Sequence, residues 1–187
     1  MDLSVLTSSI TEEVTTAEVV SMMGYLGTDQ DARIARLITV AREWLENRTG
    51  LSCVSKQYKA YFEKSDRDSE GWYELPMSPV LSSPAITVTV CGVSTTFTQK
   101  GLSRVKIKPD TMIGTLQIGS SSETYYVEVT FQAGGSNATA NECIRRIVAS
   151  MFNEPQDGLS TSGNVSVSRL AYDTLRLIET IDQTTGF

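Results

Sequence analysis

The apolar residues of this chain change their spacing twice along its length, and that change limits the folds open to it. Within residues 28–49, Ile34, Leu37, Ile38, Ala41 and Leu45 recur at i, i+3, i+4, i+7 and i+11, the stripe of an amphipathic helix, which Trp44 widens. Between residues 52 and 135 the composition turns to Val, Ile, Thr, Tyr and Phe in short runs punctuated by Gly, Pro and Ser. The clearest run is 123–132, where Tyr125, Val127, Val129 and Phe131 alternate with Thr124, Tyr126, Glu128 and Thr130, so that one face is expected to be buried. Helical spacing then returns in Ile144, Ile147, Val148, Met151 and Phe152. Helices on both sides of a block of strands describe an α+β fold: a small helical bundle with an inserted antiparallel β subdomain and a tethered C-terminal helix.

Capping residues set the expected boundaries. A first helix, 15–26, starts at Thr15 or Thr16 with Glu18 supporting its first turn, and Gly24 and Gly27 break it. Thr28 is placed to cap the helix 28–49, with Asp29 and Asp31 near its positive end, Arg48 near the other end and Gly50 as the stop. Asn137 or Thr139 can cap the helix 139–154, which Pro155 ends. Further strands are expected at 54–62, 72–75, 85–90, 95–99, 104–108 and 115–118, with a hairpin at Cys91-Gly92. Residues 156–164 read as a flexible Gly- and Ser-rich linker. The organisation that follows is a core at 1–155, the linker, and a C-terminal docking helix or tail at 165–187.

The absence of histidine from all 187 residues removes Ser-His and Cys-His nucleophile pairs, His-ligated metals and imidazole acid-base catalysis. No nucleotide-binding loop, nucleophile elbow or paired catalytic carboxylate stands in the sequence, so the expectation is a protein that is not an enzyme and needs no cofactor. A net charge of -6 argues against general affinity for nucleic acid. Cys53, Cys91 and Cys143 lack metal or redox spacing and read as buried thiols in a reducing compartment. The acidic first thirteen residues lack the pattern of a signal peptide, and no apolar run reaches the ~20 residues that span a bilayer, so a soluble intracellular protein without membrane contact is expected.

Three stretches invite a functional reading. Asp66, Asp68 and Glu70 before Gly71 imitate the start of a calcium loop, but its closing position holds Met77, so a solvated hairpin tip is the better reading. Lys100, Arg104, Lys106 and Lys108 form a basic run, three of them on one strand face, which suits a solvated face, a contact between subunits or the wall of a channel. The C-terminal segment, with Leu170, Tyr172, Leu175, Arg176, Ile178 and Ile181, presents an apolar stripe beyond a linker and is the expected docking element.

The order of these parts resembles the head-to-tail connector family of tailed phages, also called head completion or adaptor proteins. The resemblance is carried by 15–20 (TTAEVV), 29–34 (DQDARI) and 41–50 (AREWLENRTG), then by Trp72, Leu75, Pro76 and Pro79-Val80, then by Tyr126 to Phe131 running into Ala133-Gly134-Gly135, and by the helix 144–152. The chain departs from the family in lacking a proline ahead of that helix and a Tyr-Arg ending. The resemblance implies a virion protein of the neck, made in the host cytoplasm, that forms a ring with copies of itself beneath the dodecameric portal protein. Such a ring extends the channel through which double-stranded DNA passes without sequence-specific binding, and it receives the next tail or stopper protein. The alternative is a tail-side or capsid-associated binding module, a tail completion or decoration protein.

Overall fold

The computed structural model describes residues 1–6, 11–82, 85–101, 104–110, 126–153 and 172–185. Its elements are β1 (Asp2–Val5), α1 (Thr16–Met23), α2 (Asp31–Thr49), β2 (Lys56–Glu63), a single 3-10 turn (Lys64–Asp66), β3 (Tyr73–Glu74), β4 (Thr87–Val90), β5 (Val93–Thr95), β6 (Phe97–Lys100), β7 (Lys106–Pro109), β8 (Tyr126–Ala133), α3 (Ala138–Asn153) and α4 (Tyr172–Thr185). The fold is α+β, and the strands and helices fall into two units: residues 1–10 with 50–135, and residues 11–49 with 136–185. No helix among the described residues is long and apolar enough to cross a membrane.

In the β unit, an antiparallel sheet in the order β1-β2-β8-β4-β5 and a second in the order β3-β7-β6 share one apolar core. The register explains why the alternation works. Tyr58, Ala60 and Phe62 of β2 stand opposite Phe131, Val129 and Val127 of β8, so a one-residue slip would turn every inward side chain outward. All six are at most 2% exposed. Tyr58 stacks on Phe131 with ring centroids 5.6 Å apart, and the Tyr58 hydroxyl reaches the Ser52 hydroxyl at 2.8 Å, which satisfies a buried polar atom. Tyr73, Leu75, Val105 and Ile107 close the core from the smaller sheet.

Two turns of this unit depend on positive backbone φ. Cys91 and Gly92, at φ 49° and 80°, are the two loop residues between Val90 and Val93, which gives the expected hairpin the twist of a primed turn. Gly134, at φ 112°, lies so close to Val54 that a Cβ would collide with that residue's carbonyl oxygen, while its own N–H donates to the Pro79 carbonyl at 2.9 Å.

In the helical unit, Thr15 caps α1. Its hydroxyl accepts the Glu18 N–H, and the Glu18 carboxylate accepts the Thr15 N–H at 2.7 Å; these bonds, from backbone first, hold the Glu18 carboxyl below its ordinary range. Gly24 ends the helix in the left-handed conformation, two residues before the expected limit at 26. Asn137 accepts the N–H groups of Thr139 and Ala140 at 3.0 Å and is the cap of α3. Val19, Ile34, Ile38, Ala41, Leu45, Ile144, Ile147 and Val148 are buried. Leu37, Met151 and Phe152, expected with them, are only half-buried.

The structure corrects several expectations. α2 begins at Asp31, because residues 28–30 form a turn in which the Asp31 N–H bonds the Thr28 carbonyl; Thr28 is not its cap. β1 was not expected: four residues are too short for a pattern to register, and only the neighbouring β2 gives them a ladder. The expected strand 95–99 is two strands, β5 and β6, belonging to different sheets. The loop after β2 is not a hairpin tip, since β2 pairs with β1 and β8 while β3 pairs with β7; it crosses between sheets. Cys91 sits half-exposed on its turn, whereas Cys53 and Cys143 are buried, and burial pushes the Cys143 thiol up to about 11. The expected strand at 115–118, residues 123–125, Pro155, the linker 156–164 and Leu170 lie outside the described residues.

Candidate interaction surfaces

The basic run is brought together by β6 and β7 and met there by carboxylates from the crossover loop and β3. Val105 and Ile107 point into the core, which turns Arg104, Lys106 and Lys108 to the other face. Arg104 holds Glu74 at 2.6 Å. Lys106 lies 3.4 Å from both Asp68 and Glu74, and Lys100 lies 3.2 Å from Glu70. Lys108 donates to the Glu70 carbonyl at 3.0 Å, and Lys100 and Lys108 stand 4.2 and 5.8 Å from the centre of the Trp72 ring. Every cation of the run therefore has a partner within the chain. The Lys106 ammonium is held above its ordinary range, first by Asp68 and then by Glu74, once a smaller opposing effect of desolvation is overcome.

The carboxylates of the calcium-like stretch are committed to protein donors. Asp68 accepts the N–H groups of Glu70 and Trp72 at 3.0 and 2.9 Å, and the Trp72 bond first, with Lys106 helping, holds its carboxyl low. Asp66 accepts the Glu63 N–H at 2.7 Å and pairs with the terminal ammonium of Met1 at 3.0 Å. Among the described residues no three His, Cys, Asp or Glu side chains converge as they would around a metal.

α4 packs on α3 and α2. Thr174, Ile178 and Ile181 are 2%, 4% and 2% exposed, at the i, i+4, i+7 spacing of one inward face. Leu175, 44% exposed, and Arg176 point outward. Of the six residues expected to dock, two thus belong to the core of the helical unit and two lie on its surface; Leu170 and the side chain of Tyr172 lie outside the described residues. Removal of α4 would uncover apolar side chains of α2 and α3.

Sequence reasoning missed Arg42, whose side chain is 1% exposed. Its guanidinium holds Glu12 at 3.0 Å and Glu46 at 2.8 Å, with Glu43 at 3.6 Å. Glu46 one helical turn on was the available sign of a pair, but Glu12 comes from thirty residues earlier. It missed Leu26 as well, which is 100% exposed. There the sign was a large apolar residue between Gly24 and Gly27, with no periodic element to bury it.

Solved assemblies contain chains of this fold. A chain of the neck of an empty gene transfer agent (GTA) particle, computed with C6 symmetry, superposes with a TM-score of 0.68 at 20% identity, over 97% of this chain and 95% of that one. A chain of the virion of a native gene transfer agent particle gives 0.66 at 16% identity, over 96% and 94%. A chain of the neck of a native GTA particle, computed with C12 symmetry, gives 0.60 at 15% identity, over 97% and 94%. No family model and no curated protein matches the sequence.

Proposed function

We propose that this chain is a structural protein of the neck of a tailed-phage-like particle, the head-to-tail connector subunit. It forms a ring beneath the portal protein, extends the DNA channel and offers a platform to the next tail or stopper component. The observation that carries this reading is the agreement of fold with neck chains of gene transfer agent particles over nearly the whole length of both partners. The symmetries of those necks support a ring of identical subunits, and two complementary faces on each copy would close it. The surface chemistry is compatible with passing DNA: three of the four cations of the basic run, Lys100, Arg104 and Lys106, are already paired with carboxylates, which leaves less unspent charge for phosphate.

A second reading is favoured by one observation. Because α4 lies home on α2 and α3, a tail-side or capsid-associated module with no docking tail would look the same in isolation. Native mass measurement with negative-stain imaging, of the chain alone and after co-expression with the portal protein of the same genome, separates the two. A ring bound to the portal is expected. No association with the portal in either sample would overturn the connector reading and leave the tail-side module in its place.

A further inference from the structure

The five-stranded sheet of the β unit ends in β1 and β5, each with a neighbouring strand on one side only among the described residues. Its core-facing side chains form rows across the strands. Val5 lies opposite Tyr58 and Tyr58 opposite Phe131, while Val93 lies opposite Val90 and Val90 opposite Val127. The inner members of these rows are buried, but Val5 and Val93 at the two ends are 53% and 49% exposed, so the apolar face runs on uncovered to both margins. A sheet margin open to solvent is usually guarded by charge, proline, a bulge or a cover. The smaller sheet follows that rule, with Glu74 on β3 and Lys100 on β6 at its margins. The larger one does not: residues 1–6 carry one charged side chain, Asp2, on the face away from the core, and residues 91–99 carry none.

The backbone groups left over at the two margins fit each other. The Leu6 N–H bonds the carbonyl of Gln57 directly opposite it at 2.9 Å, so the even-numbered residues of β1 bond β2, and the N–H and C=O groups of Leu3 and Val5 point away from the sheet. On the far side the Cys91 N–H bonds the Tyr126 carbonyl opposite it at 3.0 Å. The same alternation turns the backbone groups of Val88 and Val90 to β5, so Val93 and Thr95 bond back to β4 and Ser94 faces outward. This margin ends at Thr96, whose carbonyl accepts the Asp110 N–H at 2.9 Å. Four antiparallel steps lead from β1 to β5, so the two strands run the same way. In a parallel pair, a residue whose backbone groups reach across the gap sits beside one whose groups do not, with both side chains on one face. Leu3 and Val5 face the core with outward backbone groups, and Val93 and Thr95 face it with inward ones. A β1 added beside β5 therefore continues the sheet with its apolar face unbroken.

We propose that β5 of one copy pairs in parallel with β1 of the next. Ser94 lies between Leu3 and Val5 of the receiving copy, its N–H donating to the Leu3 carbonyl and its carbonyl accepting the Val5 N–H; Val93 then lies beside Leu3, and Thr95 beside Val5. The occupant of each margin is a second copy of this chain, because the apolar rows and the unspent backbone groups of one margin are continued by those of the other. Main-chain bonds supply the attachment, and the flanking core-facing side chains fix the register. Each copy gives β5 and receives on β1, so the contact is head-to-tail and repeats around a ring. This interface rests on the ring reading above and names the contact that closes the ring.

The test uses the full-length chain as wild type, Ser94→Pro and Val5→Lys, with ring formation, alone or on the portal, followed by native mass. The proline removes only an outward N–H, and the lysine places a charge at an exposed margin, so unchanged circular dichroism and melting temperatures are expected. Each variant is expected to lose the ring, with association weakened at least tenfold. Variants that form the ring as well as wild type would overturn this interface and leave the connector reading standing, whereas a wild type that forms no ring under any condition would overturn both. A cysteine pair reads the register directly and does not depend on the proline variant folding. Val5→Cys with Thr95→Cys in one chain is expected to give, on oxidation, a ladder of covalent multimers that neither single variant gives. A ring without that ladder, or covalent dimers from Val5→Cys alone that show β1 meeting β1, would overturn the pairing of β5 with β1.

Discussion

The two units spend charge differently. The β unit holds all six lysines of the chain and two arginines against nine carboxylates, and three of the four cations of its conspicuous basic run are paired at the surface with carboxylates from the crossover loop and β3 of the same unit. The helical unit has eight arginines, no lysine and thirteen carboxylates; it hides one arginine completely and leaves another outward beside exposed apolar side chains. The comparison teaches that a run of like charges in sequence is a poor guide to a contact surface.

The sharpest way to break this contrast is to remove the hidden charge. Arg42→Met leaves Glu46 buried without its cation and is expected to cost about 3–5 kcal/mol, against little for the same change at exposed Arg36. Urea titration of both variants measures it, and equal small losses would mean that the Arg42 cluster is not structural. Next in size comes α4. Ile178→Ala is expected to cost about 2–4 kcal/mol and Leu175→Ala under about 1 kcal/mol. Equal costs would show that the helix does not pack by its Thr174, Ile178 and Ile181 face. Hydrogen exchange on the intact chain would add to this, with slow amides in α4 expected.

In the β unit the comparison predicts small electrostatic effects. Replacing Lys106 by Gln, which removes a cation exposed to solvent between two carboxylates, is expected to move the thermal midpoint much less than Arg42→Met does. The weakest expected effect is on pH. Glu18, Asp66, Asp68 and Glu142 all titrate below their ordinary carboxylate values in the folded chain, Glu142 first because of Arg146. Their contribution is therefore complete above the ordinary carboxylate range and is lost as pH falls through the lowered folded values. Melting temperatures recorded from pH 7 to pH 3 should be flat at first and then fall; a rise on acidification would contradict the paired states described here.

Much of the fold was legible because it is local. Thr15 and Glu18 find each other within one turn, Asn137 caps the helix that follows it, and Cys91-Gly92 turns a chain between neighbouring strands. β1 was not legible, since its ladder is with β2, more than fifty residues on. Nor was the division of residues 93–100 between two sheets, which the alternation of side chains cannot mark because it continues through both strands. At the candidate surfaces the residues were visible but their state was not: Lys106 reads as free until Asp68 and Glu74 arrive from another part of the chain, and Ile178 reads as a docking residue until α2 and α3 cover it.

The sequence by itself determined the α+β class, the order of helices and strands, their caps and turns, and the absence of imidazole chemistry, because each of these follows from side chains within a few residues of one another. The tertiary structure alone decided which charges are spent, which apolar stripe is core and which leucine stands in solvent. Burial is a property of what packs against a residue from afar, and the cost of an unpaired charge or the gain from a covered side chain exists only once that distant partner is in place.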